Sequence, residues 1–444
     1  MQWTVGLLAA SLAGCAEDHS AAQAHLAECV QHSEQKQYLQ AIAACQRALA
    51  AEPNLVEARL LIGELLLKHG QFDRAIAHYQ QVIHNHPEHS GVYEALGDVY
   101  ARLRRNDEAA AAYQRALDQA ADQAALYRKL ALVYGDQNRY AAAVAALQQA
   151  QTLAPQHART YYNLGMLYQR QAQYAAAQTQ LERAIELNPA YGDAYYQLGQ
   201  IHSRLGRYAE AEANLHAALK HQSAYAAQAL SALGAVLLRQ GRGEEAEKVL
   251  LQAVQVDPLE PEALHRLGTL YRQGARPEMA EKLLAAFERV QPYSEQIAHY
   301  RHVLRRYRED ADAHYNLGVL YGRLGYPEAA AEQYRRALAI NPADLSARNN
   351  LANNLLHRGQ VEAAIGEYER VLALSPRNAR AYNNLGTAYM ELGDLEMATQ
   401  ILHKAARVDS AYADPHYNLS QIYFMQGRRA EGEAELAIYE SLRP

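Results

Sequence analysis

Apolar and polar positions along the chain follow two interlocked periods. Over stretches of twelve to fourteen residues, apolar and small side chains fall three and four apart, as at Leu317, Gly318 and Tyr321. Such spacing gives each stretch one buried stripe and predicts an amphipathic helix. Over longer distances the pattern repeats, usually every 34 residues: small residues stand at Gly63, Gly97, Gly165, Gly199, Gly234, Gly268, Gly318 and Gly386. Twelve residues after each comes Ala75, Ala109, Ala177, Ala211, Ala246, Ala280, Ala330 or Ala398. A third series (Ala116, Ala184, Ala218, Ala253, Ala337, Ala405) and a proline series (Pro87, Pro189, Pro258, Pro292, Pro342, Pro376) follow. Small residues let two antiparallel helices approach closely, and proline stops the second helix. Between the helices, Gly70, Gly206, Gly241, Gly325, Gly359, Gly393 and Gly427 supply left-handed turn residues. A chain of 444 residues has room for two or three ordinary domains, but an array with this period needs no domain boundary.

These residues resemble the tetratricopeptide repeat, whose pattern sets a small residue at position 8, alanine at 20 and 27 and proline at 32. The resemblance implies an all-α fold, a right-handed superhelix (α-solenoid) of about twelve helix pairs. Anchored on position 8, the repeats read 22–55, 56–89, 90–123, 124–157, 158–191, 192–225, 227–260, 261–294, 311–344, 345–378, 379–412 and a shorter 413–444. Position 8 departs from glycine at Cys29, Ala131, Ala352 and Ser420. Ala226 is a one-residue insertion, and 295–310 has the length of one extra helix. That helix predicts a discontinuity, with repeats one to eight (22–294) before it and nine to twelve (311–444) after it. Its Arg301, Arg305, Arg306 and Arg308 read as a solvated face beside Glu309, Asp310 and Asp312, with an anionic contact as the other reading.

Charge narrows the partners. A net charge of −6 and a pI near 6.3 give no field that favours nucleic acid. No phosphate-binding glycine loop, nucleophile elbow or paired-cysteine zinc spacing occurs, so neither an enzyme nor a cofactor is expected. The histidines His78, His84, His86 and His89 lie at a helix end and its turn, where a solvated turn is expected rather than a metal site. The tyrosines at position 11, among them Tyr134, Tyr271, Tyr321 and Tyr423, read as repeat core.

The first residues carry a different signal. MQWTVGLLAASLAGCAED has an uncharged apolar run, then Leu12-Ala13-Gly14-Cys15 and an abrupt polar shift. It resembles a bacterial lipoprotein signal peptide (1–14), which implies cleavage before Cys15, lipidation of its thiol and a lipidated tether over 15–21. The apolar run is too short for a permanent span. Ala16 after the cysteine implies sorting to the outer membrane, on its periplasmic face; a cytoplasmic protein is the alternative. Cys29 and Cys45 fall at positions 8 and 24 of the first repeat, where they either form a disulfide or serve as two small buried apolar residues.

In the family the first helix of each pair lines the concave surface, and positions 2, 5, 6, 9, 12 and 13 face the groove. Position 6 reads Asn163 in the fifth repeat and Asn316, Asn350, Asn384 and Asn418 in the last four. A carboxamide has both a donor and an acceptor, so such a column can pair with a peptide backbone without reading side chains. The column resembles the asparagine ladder of the eukaryotic glycosyltransferase that adds N-acetylglucosamine to proteins, though asparagine is also the family's commonest choice there. Asn349, Asn353, Asn354 and Asn383 extend the polar lining, and Arg380 offers a carboxylate partner. A second patch, Arg128, Lys129, Arg159 and Asn163, loosely resembles the carboxylate clamp of some co-chaperones. The expected function is a non-catalytic scaffold that holds extended peptides or partner subunits in its groove. Its membrane contact is through the N-terminal lipid, and the alternatives are a cytosolic adaptor or a substrate-presenting subunit of a separate enzyme.

Overall fold

The computed structural model describes residues 13–443 apart from 36, 69, 119, 121 and 275, and side chains from His19 onward. Of the stretch 1–14 read as a signal peptide, residues 1–12 therefore lie outside the described residues. The rest forms 25 α-helices and one 3-10 turn, with no strand among the described residues. The first repeats pair α1 (Ala13–Glu34) with α2 (Tyr38–Ala51), α3 (Val56–Lys68) with α4 (Phe72–Asn85), and α5 (Ser90–Arg102) with α6 (Asn106–Leu117). Next come α7 (Gln123–Asp136) with α8 (Tyr140–Leu153), α9 (Ala158–Arg170) with α10 (Tyr174–Leu187), and α11 (Gly192–Arg204) with α12 (Tyr208–Lys220). The series continues with α13 (Ala226–Arg239) and α14 (Gly243–Val256), then α15 (Pro261–Gln273) and α16 (Pro277–Val290). After the 3-10 turn Gln291–Tyr293, α17 (Ser294–Arg306) stands alone. The last four pairs are α18 (Ala311–Arg323) with α19 (Pro327–Ile340), α20 (Leu345–His357) with α21 (Val361–Leu374), α22 (Ala379–Leu392) with α23 (Leu395–Val408), and α24 (Asp414–Met425) with α25 (Arg429–Leu442).

The described chain falls into two compact units, 1–280 and 281–444, with the division inside α16. In each unit the helices of a pair pack on one another, the second helix packs on the next first helix, and successive first helices also touch, as α18 does α20 and α20 does α22. Those first helices form one face of the stack, which is where a groove-lining column has to lie.

The close approach within a pair is set by positions 8 and 24. A Cβ added to Gly165 would sit 2.7 Å from Leu181 Cγ, and one on Gly318 2.6 Å from the Tyr334 ring, so glycine is required for the helices to meet. In the first pair the same two positions are Cys29 and Cys45, joined by a disulfide with Cα atoms 5.2 Å apart and both side chains fully buried. The first repeat thus makes covalently the contact that the others make by packing. At the turn, Gly325 and Gly393 take φ of +87° and +86°; Arg104, Asn138 and Ala172 hold the equivalent position with positive φ as well. Since β-carbon sterics oppose that conformation, those three turns are strained relative to the glycine ones.

The insertion at Ala226 becomes the first residue of α13, and the turn before it is tied by Asp193, whose carboxylate accepts from Ser223 Oγ and Ala224 N at 2.8 Å each. Residues 15–21, read from sequence as a tether, belong to the helical span of α1. The extra helix, expected over 295–310, spans Ser294–Arg306 and packs on α18 with Ile297 buried. Arg301, Arg305 and Arg306 are engaged with neighbouring groups. No helix among the described residues is long and apolar enough to cross a membrane.

Candidate peptide-binding groove and its amide column

Three of the four C-terminal position-6 asparagines do not project independently but reach back to the repeat before. Asn384 Nδ2 donates to Asn349 Oδ1 at 3.3 Å and to Asn353 Oδ1 at 3.2 Å. Asn418 Nδ2 donates to Asn383 Oδ1 at 2.9 Å and to Thr387 Oγ1 at 3.4 Å. Asn350 Nδ2 donates to the Tyr315 hydroxyl at 3.4 Å. Asn316 stands apart, its amide folded onto the Asp312 carbonyl of its own helix at 2.8 Å. In the window numbering the acceptors are positions 5 and 9 of the preceding repeat. A side chain's rise along one first helix therefore matches the stagger to the next.

A second link runs into the helix pair. The Tyr368 hydroxyl, at position 24, donates to Asn353 Oδ1 at 2.5 Å, so Asn353 accepts from its own repeat and from Asn384 of the next. Burial raises the Tyr368 phenol above the ordinary tyrosine value, with Glu391 adding to it. Tyr334 is pushed up to about 12, chiefly by burial. Both hydroxyls stay protonated, and that of Tyr368 serves as a donor.

The carbonyl Oδ1 atoms of Asn350, Asn384 and Asn418 accept no bond from the described residues, and Nδ2 of Asn349, Asn353 and Asn383 donates none. An amide-to-amide bond uses one donor and one acceptor, so whichever way the two groups rotate, the pair keeps one free donor and one free acceptor. The architecture therefore consumes half of the column and leaves the half that suits a peptide main chain. All three side chains are half-buried, whereas Arg380 is exposed and has no ion pair among the described residues.

Elsewhere the same register carries other chemistry. Lys129 Nζ sits 2.8 Å from Glu94 Oε1 and 2.7 Å from Asp98 Oδ2, positions 5 and 9 of the third repeat, while the Tyr113 hydroxyl donates to Asp98 at 2.7 Å. Burial alone lowers the Lys129 pKa, but the Asp98 and Glu94 carboxylates outweigh it and lift it above the ordinary value. This removes Lys129 from the patch read with Arg128, Arg159 and Asn163, because its charge is already satisfied. Arg266 Nη1 likewise donates to Ser231 Oγ, position 5 of the seventh repeat, at 3.0 Å. Asn163 is 8 % exposed and Gln197, one repeat on at the same position, 5 %, and no hydrogen bond joins either to a described residue. The preceding repeats offer them Arg128 with Leu132, and Tyr162 with Met166. Tyr162 is engaged with Tyr225, and burial first, then that neighbour, holds its phenol well above the usual value.

The sequence reading put Asn316, Asn350, Asn384 and Asn418 in one column and did not include the bonds that the last three make to the preceding repeat. The available signal was a polar residue at position 9, 31 residues before a position-6 donor: Asp98 before Lys129, Asn353 before Asn384, Thr387 before Asn418. Of the histidines in α4 and the turn after it, His86 lies 3.6 Å from Glu88, and Nδ1 of His78 and of His89 is buried without a hydrogen-bond partner; among the described residues no group of three or more His, Cys, Asp or Glu is placed to hold a metal.

Stacked helix pairs with a polar column along their first helices define a helical-repeat binding scaffold, a fold that displays an extended surface for proteins or peptides. The chain belongs to the tetratricopeptide repeat family: models described as "Tetratricopeptide repeat" match residues 32–77, 60–125, 122–190, 190–258, 232–295 and 311–344, and one described as "TPR repeat" matches 352–393 and 386–427. No curated protein matches the chain. Among solved structures, one titled "Crystal structure of MamA protein" is 26% identical, with 37% of this chain and 90% of that one covered and a TM-score of 0.34.

Proposed function

We propose that this tetratricopeptide scaffold captures extended segments of partner proteins along the amide column of residues 311–444, as a lipid-anchored protein on the periplasmic face of the outer membrane. The observation that carries the capture reading is the unspent donor and acceptor at each linked amide pair, Asn349 with Asn384 and Asn383 with Asn418. Successive first helices packed at ordinary distances step about 10 Å, or roughly three residues of extended peptide. Each step then meets one peptide unit by its main chain, so capture tolerates many sequences. Arg380, exposed at the edge of this column, supplies a charge for a carboxylate on the captured segment.

Location rests on two separate features. Cys15 follows the apolar run and is the residue to be lipidated, and two or more acyl chains hold a protein stably on a membrane. The buried Cys29–Cys45 disulfide suits an oxidising compartment such as the periplasm. Incorporation of labelled palmitate that depends on Cys15 is the expected result, together with tyrosine-only emission of the mature protein, since Trp3 is the sole tryptophan. Retained tryptophan emission contradicts export by this route. For the groove, replacing Asn350, Asn384 and Asn418 together with alanine is expected to reduce capture of partners from envelope extracts while helical circular dichroism persists. Undiminished capture would reduce the column to a packing device.

A further inference from the structure

We propose that the Cys29–Cys45 disulfide is a redox latch on α1 alone: a dithiol that reduces it releases residues 13–34 from the array and opens the inner face of α2, while the following repeats stay folded. This goes beyond the capture reading and does not depend on it, since it shares no residue with the column of 350–418.

Little besides the disulfide holds α1. In the next repeat α3 buries Ala58, Ile62, Leu65 and Leu66 completely, at positions 3, 7, 10 and 11. The same positions of α1 are Ala24, Glu28, Gln31 and His32, and none of them is buried. Only Ala22 and Cys29 are fully covered among the described side chains of α1; Leu26 is partly covered and Val30 is 43 % exposed. Burial of apolar area, the main force that seats a first helix, is therefore small here. The polar ties do not replace it. Glu28 pairs with Arg47 at 2.7 Å and His19 with Glu52 at 2.9 Å, with all four side chains more than a third exposed. Exposed pairs of this kind contribute little and weaken in salt.

The disulfide supplies what packing does not. It joins residues 16 apart in sequence, and closing a loop of that size shifts an opening equilibrium by about a hundredfold. Both cysteines are fully buried, so a reductant reaches them only when α1 lifts. One thiolate of the dithiol then attacks a cysteine sulfur, breaking the Cys29–Cys45 bond and forming a mixed disulfide that its second thiol displaces. Two electrons and two protons end on Cys29 and Cys45 as thiols, and the dithiol closes into its own cyclic disulfide. With positions 8 and 24 no longer joined, α1 departs. Helices draw most of their stability from a packed face, so the detached segment loses its helix as well. It uncovers Ala41, Cys45 and Ala48 on α2, each fully buried in the latched state. The repeats that pack Gly63 on Tyr79 or Gly165 on Leu181 have no such bond to lose, which keeps the release local.

Hydrogen exchange read by mass spectrometry on the full chain, oxidised and in dithiothreitol, tests both halves of the proposal. Reduction is expected to speed amide exchange across 22–34 about a hundredfold while α3 and α4 keep their protection, and to make Cys29 and Cys45 reactive to a maleimide. Removal of the reductant with reoxidation should restore the slow exchange. Cys29→Ala/Cys45→Ala, which lacks the bond in either condition, should show the fast exchange without reductant. Equal protection of 22–34 in the oxidised and reduced protein, or slow exchange there in the double alanine variant, would make the bond redundant and overturn the inference. Protection lost through α3 and α4 as well would overturn it too, making the disulfide a staple of the whole fold instead of a latch on one helix. Asn350, Asn384 and Asn418 are unchanged throughout, so failure here leaves the capture reading to its own experiment.

Discussion

Position 6 of the repeat does opposite things in two parts of the molecule. In 345–418 its asparagines spend their amide hydrogens on the repeat before, through Asn349, Asn353, Asn383 and Thr387. At 163 and 197 the same kind of side chain is more deeply set and bonded to nothing in the described chain. The residue type is nearly constant and the helix register is the same. What differs is the pair of side chains 35 and 31 residues earlier, oxygen-bearing in one region and cationic, apolar or engaged in the other. A column of asparagines is thus architectural or available according to its neighbours, and position alone does not decide which.

Four changes sharpen that contrast. The largest stability effect belongs to Lys129→Met, which leaves Glu94 and Asp98 facing each other without a counter-charge. A loss of about 2 kcal/mol is expected in urea unfolding, below the range for fully buried pairs because these groups are partly solvated. Asn384→Ala removes two backward bonds and should cost about 1 kcal/mol, read as faster amide exchange in α20 and α22. Asn163→Leu and Gln197→Met, by contrast, should change stability by less than about 0.5 kcal/mol, because no protein partner is lost and an apolar side chain of similar shape replaces an unbonded amide. Destabilisation by either as large as that of Asn384→Ala would erase the distinction between the two regions.

The smallest effect is a titration. Burial first, then the charges of Arg128 and Arg159, holds His157 below the ordinary imidazole value. With the folded pKa depressed, the neutral imidazole contributes stability above about pH 6.5, and that contribution is lost as pH falls through the folded value. Carbon-detected histidine titration should place His157 below pH 6.5, and Arg128→Gln should move it up. A midpoint that ignores Arg128 would separate the histidine from the unpaired charges.

The helix pairs were legible because glycine at position 8 and proline at 32 have steric roles that leave few alternatives. Gly318 must be small since Tyr334 lies against it, and the sequence displays that necessity every 34 residues. The polar links were not legible in the same way. Asn353 accepting from both Tyr368 and Asn384 requires three positions on three helices to agree, and no single-repeat consensus encodes a bond between repeats. The clamp-like patch misled for a related reason: Lys129 reads as a free cation along the chain, yet Glu94 and Asp98, 35 and 31 residues earlier, neutralise it in space. The disulfide was half legible, since cysteines at positions 8 and 24 face one another in any such pair while their bonding is a further chemical step.

The central claim is that the amide column of 350–418 keeps a free donor and acceptor for main-chain capture after its backward bonds are made. Anisotropy of a neutral, amidated Gly-Ser dodecapeptide, titrated with the full chain and with its Asn350→Ala/Asn384→Ala/Asn418→Ala variant, tests it most directly. The account predicts binding weakened about tenfold or more in the variant with helical circular dichroism retained, on the scale of one or two lost hydrogen bonds. Equal binding by the two proteins would contradict it.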